Sequence, residues 1–266
     1  MPLKQSEAIM LRTYPLHESD LLVTLFTRAE GKVRGVARAA KKSRRRFGGA
    51  LEPLTLVRAF YDDREGKELA RLDSCDILDS PLSHALDYPR VAALEHIAET
   101  LDELLPEREA NDDIFRLTYS VLRSLESGPI WIPLTYFQLW LVRLIGFLPE
   151  LDECVVCGEV LADDRAFHHA LADGVMCLQH KRLASSELTL ESRQLARRMF
   201  RAPVESFVSS PSGNGNGSGA PEGIVQPTEI RLDAPPMYAD LRKFLVRILE
   251  RHLEKKLITA TMLERL

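Results

Sequence analysis

Short apolar runs rich in β-branched residues, separated by brief polar breaks, fill the first 80 residues of the chain. Five such runs occur, at residues 7–14, 20–28, 32–39, 51–60 and 68–78. Gly lies in several of the breaks between them. Short strands joined by Gly-containing turns are typical of a small closed barrel or sandwich. We interpret residues 1–80 as a five-stranded OB-fold barrel, an architecture that binds oligonucleotides. In the third run the alternation changes phase at Gly35, which predicts a β-bulge there.

Beyond residue 80 the apolar residues recur every three or four positions, which is the spacing of amphipathic helices. Residues 88–105 follow this pattern, and a second helix is expected to begin at Asn111, a good N-cap residue. A third, very apolar helix is expected from Pro133 through Gly146. Together these segments predict a helical domain at residues 81–150.

The C-terminal residues 183–266 are predicted to supply the remaining helices of the same helical domain. One short helix is expected at 187–200 and a last helix at about 236–256. Between them, at about 209–226, the chain is rich in Gly, Ser and Asn and offers few side chains that could pack. Such a composition predicts a flexible insertion.

The most apolar stretch, residues 130–148, is about long enough to span a bilayer. However, Pro133, Gln138 and Arg143 interrupt it, and no second stretch like it occurs in the sequence. We therefore interpret it as a buried helix of the helical domain, and we expect a cytoplasmic protein. Four cysteines in such a chain do not indicate a disulfide framework.

Three of the cysteines and one histidine have the spacing of a metal site, C-x2-C-x19-C-x2-H: Cys154, Cys157, Cys177 and His180. A two-residue gap lets both members of a pair bind one ion, and the return length suits a zinc knuckle or ribbon. Thiolates and imidazole favour zinc, so residues 151–182 predict a structural zinc module. His168 and His169 remain alternatives to His180 as the fourth ligand. The predicted fold class is therefore α+β, an N-terminal OB-fold barrel followed by an α-helical domain with an inserted zinc-binding module.

Sequence signatures of catalysis are missing. Four protein ligands would close the zinc site, whereas a catalytic zinc keeps an open position. The chain has no H-E-x-x-H, and His96-x-x-Glu99 does not match the H-x-E of nucleobase deaminases. A phosphate-binding G-x-x-x-x-G-K-[ST] loop and the G-x-S-x-G of serine hydrolases are also absent from the sequence. We expect no catalysis.

Positive charge is concentrated near the start of a chain whose formal net charge is −4. Residues 32–46 hold eight bases and no acid: Lys32, Arg34, Arg38, Lys41, Lys42, Arg44, Arg45 and Arg46. Basic side chains on a barrel strand and on the following loop are typical of a nucleic-acid groove. Each phosphate contact releases counterions, so binding through these residues would depend strongly on salt. A solvated loop that only opposes aggregation is the alternative.

Few aromatic residues lie close to this basic run. The candidates for base stacking are Phe26, Phe47, Phe60 and Tyr61. Backbone-dominated binding is therefore expected rather than sequence-specific readout. A second basic set recurs every four residues on the last helix: Lys243, Arg247, Arg251 and Lys255. We interpret that set as a solvated face, and a second binding surface is the alternative.

The N-terminal third of the sequence also resembles a known family. The segments HESD, LFTRAEGK and ALEP, within about 50 residues of similar pattern, and the DGVMC approach to Cys177 resemble the RecO family of bacterial recombination mediators. The resemblance covers nearly the whole chain except for the Gly-rich segment at about 209–226. Many members of the family have a fourth Cys where this chain has His180.

The resemblance implies an OB-fold, a helical bundle and a zinc module. It further implies binding to single- and double-stranded DNA, annealing of complementary strands, and contact with RecR and with the acidic C-terminal tail of SSB. Together these would help to load RecA onto SSB-coated DNA. The eight bases of residues 32–46 would then contact DNA, and Arg143 near Trp140 is a candidate for the SSB tail.

Three alternatives stay open from the residues alone. A zinc-ribbon RNA-binding protein would share the barrel, the bases and the metal site. A zinc-dependent hydrolase or deaminase would show turnover that chelation abolishes. A scaffold whose basic loop binds an acidic protein would keep its nucleic-acid affinity after the loop charges are removed.

Overall fold

Five strands form a closed barrel at the N-terminal end of the chain, in the order β1-β2-β3-β5-β4. They are β1 (Lys4–Pro15), β2 (Leu21–Thr27), β3 (Gly31–Ala37), β4 (Leu56–Asp62) and β5 (Ala70–Asp79). β1 closes the barrel by pairing with both β2 and β4, and β3 pairs with β5 in parallel. This computed structural model describes residues 3–63, 67–83, 86–161, 165–208 and 234–264. The predicted OB-type barrel is confirmed.

The predicted bulge at Gly35 is wrong. The β2–β3 register runs without a break from Leu21 opposite Ala37 to Thr27 opposite Gly31. Register shifts occur instead in β1 after Met10 and in the β4–β5 pairing. A Cβ atom at Gly35 would lie 3.0 Å from the carbonyl oxygen of Ala70, so the glycine permits close approach of β5.

Helices form most of the rest of the described chain. After the four-residue α1 (Arg44–Phe47) they are α2 (Tyr88–Leu104), α3 (Asp112–Ser124), α4 (Trp131–Leu144), α5 (Leu190–Met199), α6 (Glu205–Val208), α7 (Pro236–Leu253) and α8 (Ile258–Leu263). The Asn111 side chain accepts a hydrogen bond of 3.0 Å from the Ile114 N–H, which confirms the predicted N-cap. Among the described residues, no helix combines the length and apolar character that a bilayer crossing requires.

The C-terminal half of the chain differs from the expectation in its last helix, and it also contains a sheet that the sequence did not predict. The last helix does not continue to about residue 256, because Glu254 takes a left-handed conformation with φ 54° and ends α7. The separate helix α8 follows, which the sequence did not predict. Residues around the cysteines also contain a three-stranded sheet of β6 (Ala166–His168), β7 (Val175–Met176) and β8 (Ser186–Leu188). The flexible insertion predicted at about 209–226 lies outside the described residues.

A buried polar network ties α8 to α2 and α4. Gln138 donates to His96 Nε2 at 2.7 Å, and the other ring nitrogen of His96 lies 2.8 Å from Thr259 Oγ1. Thr259 in turn donates through its hydroxyl and its backbone N–H to the Glu99 carboxylate. Burial lowers the pKa of His96 to about 4, so its ring is neutral at pH 7. The neutral ring can accept from Gln138 and donate to Thr259 at once.

The tip of the β2–β3 hairpin packs against the loop between α2 and α3. The Lys32 carbonyl accepts a hydrogen bond of 2.9 Å from the Arg108 N–H. The Arg108 guanidinium forms two hydrogen bonds to Asp63 at 2.5 and 2.9 Å, which join the loop to the end of β4. Gly31, with φ 73°, lies so close that a Cβ atom there would be 2.0 Å from the Glu109 carbonyl oxygen. Only glycine fits this position.

We predict that Gly31→Ala lowers the free energy of unfolding by at least about 3 kcal/mol. The added methyl group would overlap the Glu109 backbone, and alanine would also have to adopt the left-handed conformation of residue 31. The matched control is Gly146→Ala, which has φ 80° but no atom within 4 Å of its added Cβ. Conformation alone should cost that variant about 1 kcal/mol. Urea denaturation measures both, and equal losses would show that the hairpin tip does not make this contact.

Candidate metal centre and candidate nucleic-acid interface

Cys154, Cys157, Cys177 and His180 come together at one point, as their spacing predicted. Their ligand atoms all lie within 4.8 Å of one another. The first pair lies on a tight turn in which the Gly158 N–H donates to the Cys154 carbonyl at 2.8 Å. Gly158 has φ 72°, a conformation that glycine adopts without strain. The second pair lies at either end of a short 3-10 turn after β7.

The two donor–donor distances from His180 are close to those of a tetrahedral site. His180 Nδ1 lies 3.2 Å from Cys177 Sγ and 3.8 Å from Cys154 Sγ. Ligands of a tetrahedral ion with metal–sulfur bonds of about 2.3 Å are separated by about 3.8 Å. Three sulfurs and one imidazole nitrogen therefore fit a four-coordinate metal with no further ligand. The arrangement can hold a metal ion.

The backbone around Cys154 favours the thiolate form that binds metals. Burial raises the pKa of this thiol, but N–H groups of Cys177, Cys157 and Val156 directed at its sulfur lower the pKa to about 6. For Cys157 the Glu159 N–H lowers the pKa, but desolvation and the two neighbouring thiols outweigh it and the net pKa is raised. A bound metal cation would relieve the repulsion between the thiolates of Cys154, Cys157 and Cys177.

The two alternative histidine ligands lie elsewhere. His168 is buried on β6, where its Nδ1 is 3.2 Å from the Arg247 guanidinium and its ring packs edge-on against Phe244. His169 Nδ1 accepts a hydrogen bond of 3.1 Å from the Leu171 N–H. Neither belongs to the cluster, so the geometry favours His180 as fourth ligand. Cys75, the one cysteine outside the cluster, is buried in the barrel core.

The basic run continues from β3 into two short helical turns, not the irregular loop that the sequence suggested. Lys32 and Arg34 lie on β3, Lys41 and Lys42 on a 3-10 turn, and the arginines 44–46 on α1. The Lys41 N–H donates to the Ser19 carbonyl at 3.1 Å, which joins the turn to the β1–β2 loop. Phe47 inserts from α1 into the barrel core and anchors the connection.

Four of the eight bases have side-chain partners within the protein, and for Lys41 this is a single hydrogen bond of 3.5 Å. Lys32 is half-buried and donates to the Asp102 carbonyl at 2.5 Å, and Arg34 forms a 3.7 Å ion pair with Glu107. Arg46 donates to the Arg38 carbonyl at 2.7 Å and lies over the Phe47 ring. The Glu107 carboxylate offsets the charge of Arg34, whereas the hydrogen bonds of Lys32 and Arg46 to backbone carbonyls orient these side chains and leave their charges in place. Their contact with DNA stays a prediction.

Apart from Lys32, Arg34 and Arg46, the bases are exposed at the opposite end of β3: Arg38, Lys41, Lys42, Arg44 and Arg45. Within the described ranges none of them forms an ion pair, and Lys41 has only a 3.5 Å hydrogen bond to the His17 carbonyl. Their charges are therefore not neutralised locally. This group, which we call the basic rim, forms a concentrated positive field beside the β1–β2 loop.

The aromatic residues proposed for base stacking are poorly placed. Phe26, Phe47 and Tyr61 are buried, and Phe26 packs on Phe115 with ring centroids 5.5 Å apart. Only Phe60 is partly exposed. Tyr14, at the end of β1 beside the β1–β2 loop, is 52% exposed and is the better candidate. In the sequence, the only indication that Tyr14 is exposed is Pro15, which follows it and marks the end of the strand. Side chains at the end of a strand often lie outside the core.

Comparisons with known proteins agree with this architecture. Residues 1–81 match the family model described as Recombination protein O N terminal, and residues 85–215 match Recombination protein O C terminal. The DNA repair protein RecO of Koribacter versatilis is 62% identical over 264 residues, 99% of each chain. That of Anaeromyxobacter sp. strain K is 31% identical over 96% of this chain and 94% of its own. The Geobacter sulfurreducens protein is 38% identical over 64% of this chain and 70% of its own.

We predict about one tightly bound metal ion per purified chain, and its loss in both Cys154→Ser and His180→Ala. His169→Ala is the matched control, because this imidazole lies close in sequence but outside the cluster. Elemental analysis after exhaustive dialysis measures the metal content. A metal-free wild type, or equal loss of metal in His169→Ala, would contradict this ligand set.

Proposed function

The chain belongs to the RecO family of DNA repair proteins, and from this premise we propose that it is a DNA-binding recombination mediator. In this role it binds single- and double-stranded DNA and anneals complementary strands. With RecR it helps to load RecA onto SSB-coated single strands, so its action on RecA is indirect. Such a role places it in the bacterial cytoplasm, near the nucleoid.

The observation that carries the proposal is the basic rim. Its five cations lie at one end of an OB-type barrel and have no carboxylate partner within the described ranges. A cation that has no local partner can form an ion pair with a phosphate without first breaking an internal one. The formal net charge of −4 does not oppose this binding, because fields beyond about 10 Å are screened at 0.1 M salt.

Annealing follows from the same electrostatics. Two strands repel each other through their phosphates, and a protein that neutralises some of these charges lowers the barrier to pairing. The contacts are with the backbone, so strands of any sequence are accepted. The exposed Tyr14 ring beside the rim could stack on a base without selecting its identity.

We propose that the metal is zinc and that its role is structural. Three thiolates and an imidazole bind zinc in preference to the hard cations of the cytoplasm, such as magnesium. When bound, the ion would link the Cys154 turn to the turn after β7 and so stabilise this part of the fold. We infer no catalysis, since the four protein ligands fill the tetrahedral positions.

For the acidic tail of SSB we propose the surface at the end of α4. The Arg143 guanidinium lies 5.3 Å from the Trp140 ring centroid and 4.4 Å from that of Phe200. Beside it is a cavity of about 450 Å³ lined partly by Tyr136, Trp140 and Leu144. The wall of this cavity also contains Arg116 and the carboxylates of Asp113 and Glu205. The acidic side chains of the peptide would therefore contact Arg143, and its apolar side chains would contact the aromatic part of the cavity.

We predict that Lys42→Ala/Arg44→Ala/Arg45→Ala weakens single-stranded DNA binding, and that its plot of log affinity against log salt is less steep by about two units. Three lost phosphate contacts, each contributing about 0.7 to the slope, produce this change. Fluorescence anisotropy of a labelled oligonucleotide across a salt series measures it.

The matched control is Arg116→Ala/Arg123→Ala/Arg165→Ala, which removes the same charge from exposed arginines that are already ion-paired. The control should keep the wild-type slope. Equal weakening in both variants would mean that net charge and not the basic rim determines binding. Wild-type affinity and salt slope in the rim variant would contradict the proposed interface.

A further inference from the structure

The four bases that recur every four residues, Lys243, Arg247, Arg251 and Lys255, fall into two pairs with different environments. The first three lie on α7, whereas Lys255 lies just beyond its end at Leu253, so the expectation that all four share the last helix is wrong for Lys255. Arg251 forms a 2.7 Å ion pair with Asp173, and Lys255 forms a 2.5 Å ion pair with Glu103. These two charges are neutralised within the protein. The other pair, Lys243 and Arg247, forms no ion pair anywhere in the described part of the chain.

Arg247 is held by a neutral partner. Its guanidinium lies 3.2 Å from His168 Nδ1. Burial, together with the charges of Arg247 and Lys243, lowers the pKa of His168 to about 4, so the ring accepts as a neutral group. Asp240 lies one turn before Lys243 but does not reach ion-pair distance. The contact orients Arg247 and leaves its positive charge uncompensated.

Both residues line a groove of about 800 Å³ between α7, α8 and the start of α4. Four cationic side chains line it, namely Arg242, Lys243, Arg247 and Lys256, against Glu250 and Glu264. Glu250 is already engaged, because it accepts hydrogen bonds from the Lys256 ammonium and, at 3.2 Å, from the Leu257 N–H. The groove therefore keeps an excess of positive charge.

The floor of the groove is also cationic. The Arg242 guanidinium lies 4.1 Å above the Trp131 ring centroid, and its buried Nε has no hydrogen-bond partner among the described residues. The guanidinium covers the indole, which is the one large aromatic surface of this groove. An apolar side chain of a peptide would find the indole face occupied, whereas an oxyanion would be attracted by the guanidinium charge.

The spacing of the two unpaired bases suits a chain of repeated anions. Lys243 and Arg247 are four residues apart, so they are separated by about 6 Å along one helix face. This face is on α7, whereas the basic rim is on the barrel. A strand held here would therefore be held by residues distinct from those of the first interface.

We propose that this groove binds the phosphate backbone of a second nucleic-acid strand. The inference rests on the proposed function, since a protein that anneals strands gains from holding two of them at once. The unneutralised pair Lys243 and Arg247 contacts the strand, and Arg242 provides a third donor in the groove.

The test compares Lys243→Ala/Arg247→Gln with Arg251→Ala/Lys255→Ala, which removes two ion-paired charges from the last turn of α7 and from the residues just after it. Complementary labelled oligonucleotides report annealing by energy transfer, and titration of one oligonucleotide reports strands bound per protein. For the groove variant we expect annealing at least about tenfold slower and one strand bound in place of two. First-strand affinity should change by less than about twofold, and the control should match wild type.

Lys243→Ala alone guards against a folding defect, because this side chain is exposed; it should slow annealing in the same direction. Unchanged annealing and stoichiometry in the groove variants would overturn the inference and leave the basic rim intact as an interface. The inference would also be overturned if wild type bound poly-glutamate and the groove variants lost that binding while they annealed strands normally. The groove would then be a site for an acidic peptide. Absence of any strand binding in wild type would instead reject the proposed function itself.

Discussion

The arrangement of the whole protein depends on the close contact between the β2–β3 hairpin tip and the α2–α3 loop. Gly31 brings the two backbones within reach, and the Arg108–Asp63 pair and the Lys32 carbonyl join them. Because this end of the barrel is covered by helices, its bases are drawn into internal contacts. The other end of β3, about 20 Å away along seven residues, remains open. The contact therefore determines which part of the basic run faces solvent.

Elsewhere in the protein, internal contacts likewise separate bases that already have a carboxylate partner from bases that can still bind an external anion. On α7 and just after its end, bases with the same four-residue spacing differ in whether a carboxylate from another segment reaches them. Asp173 and Glu103 come from segments distant in sequence, so the pattern on the helix cannot reveal the pairing. Exposed ion pairs contribute little to stability, but they decide which cations can bind an external anion without losing a partner.

Local patterns predicted the features that depend on local sequence. Alternation revealed the barrel strands, and the C-x2-C-x19-C-x2-H spacing identified the cysteine–histidine cluster. The strands β6 to β8 were missed because two or three residues show no periodicity. Helix α8 was missed because the break at Glu254 has no Gly or Pro to mark it.

Features that depend on distant contacts could not be predicted. The phase change at Gly35 indicated a bulge, but its cause is the approach of β5, which only the closed barrel reveals. Similarly, Phe47 looked available for stacking until α1 placed it in the core. The internal partners of Lys32 and Arg34 lie about 70 residues further along the chain. Membership of the RecO family fixes none of these details, which come from the packing of this chain.

Hydrogen–deuterium exchange with and without a single-stranded oligonucleotide tests the central claim most directly, that nucleic acid binds the open end of the barrel. Amides of the β1–β2 loop and of residues 38–46 should be protected on binding, whereas those of the α2–α3 loop should not change. Protection confined to the α2–α3 loop, or no protection in the barrel despite saturated binding, would contradict the account.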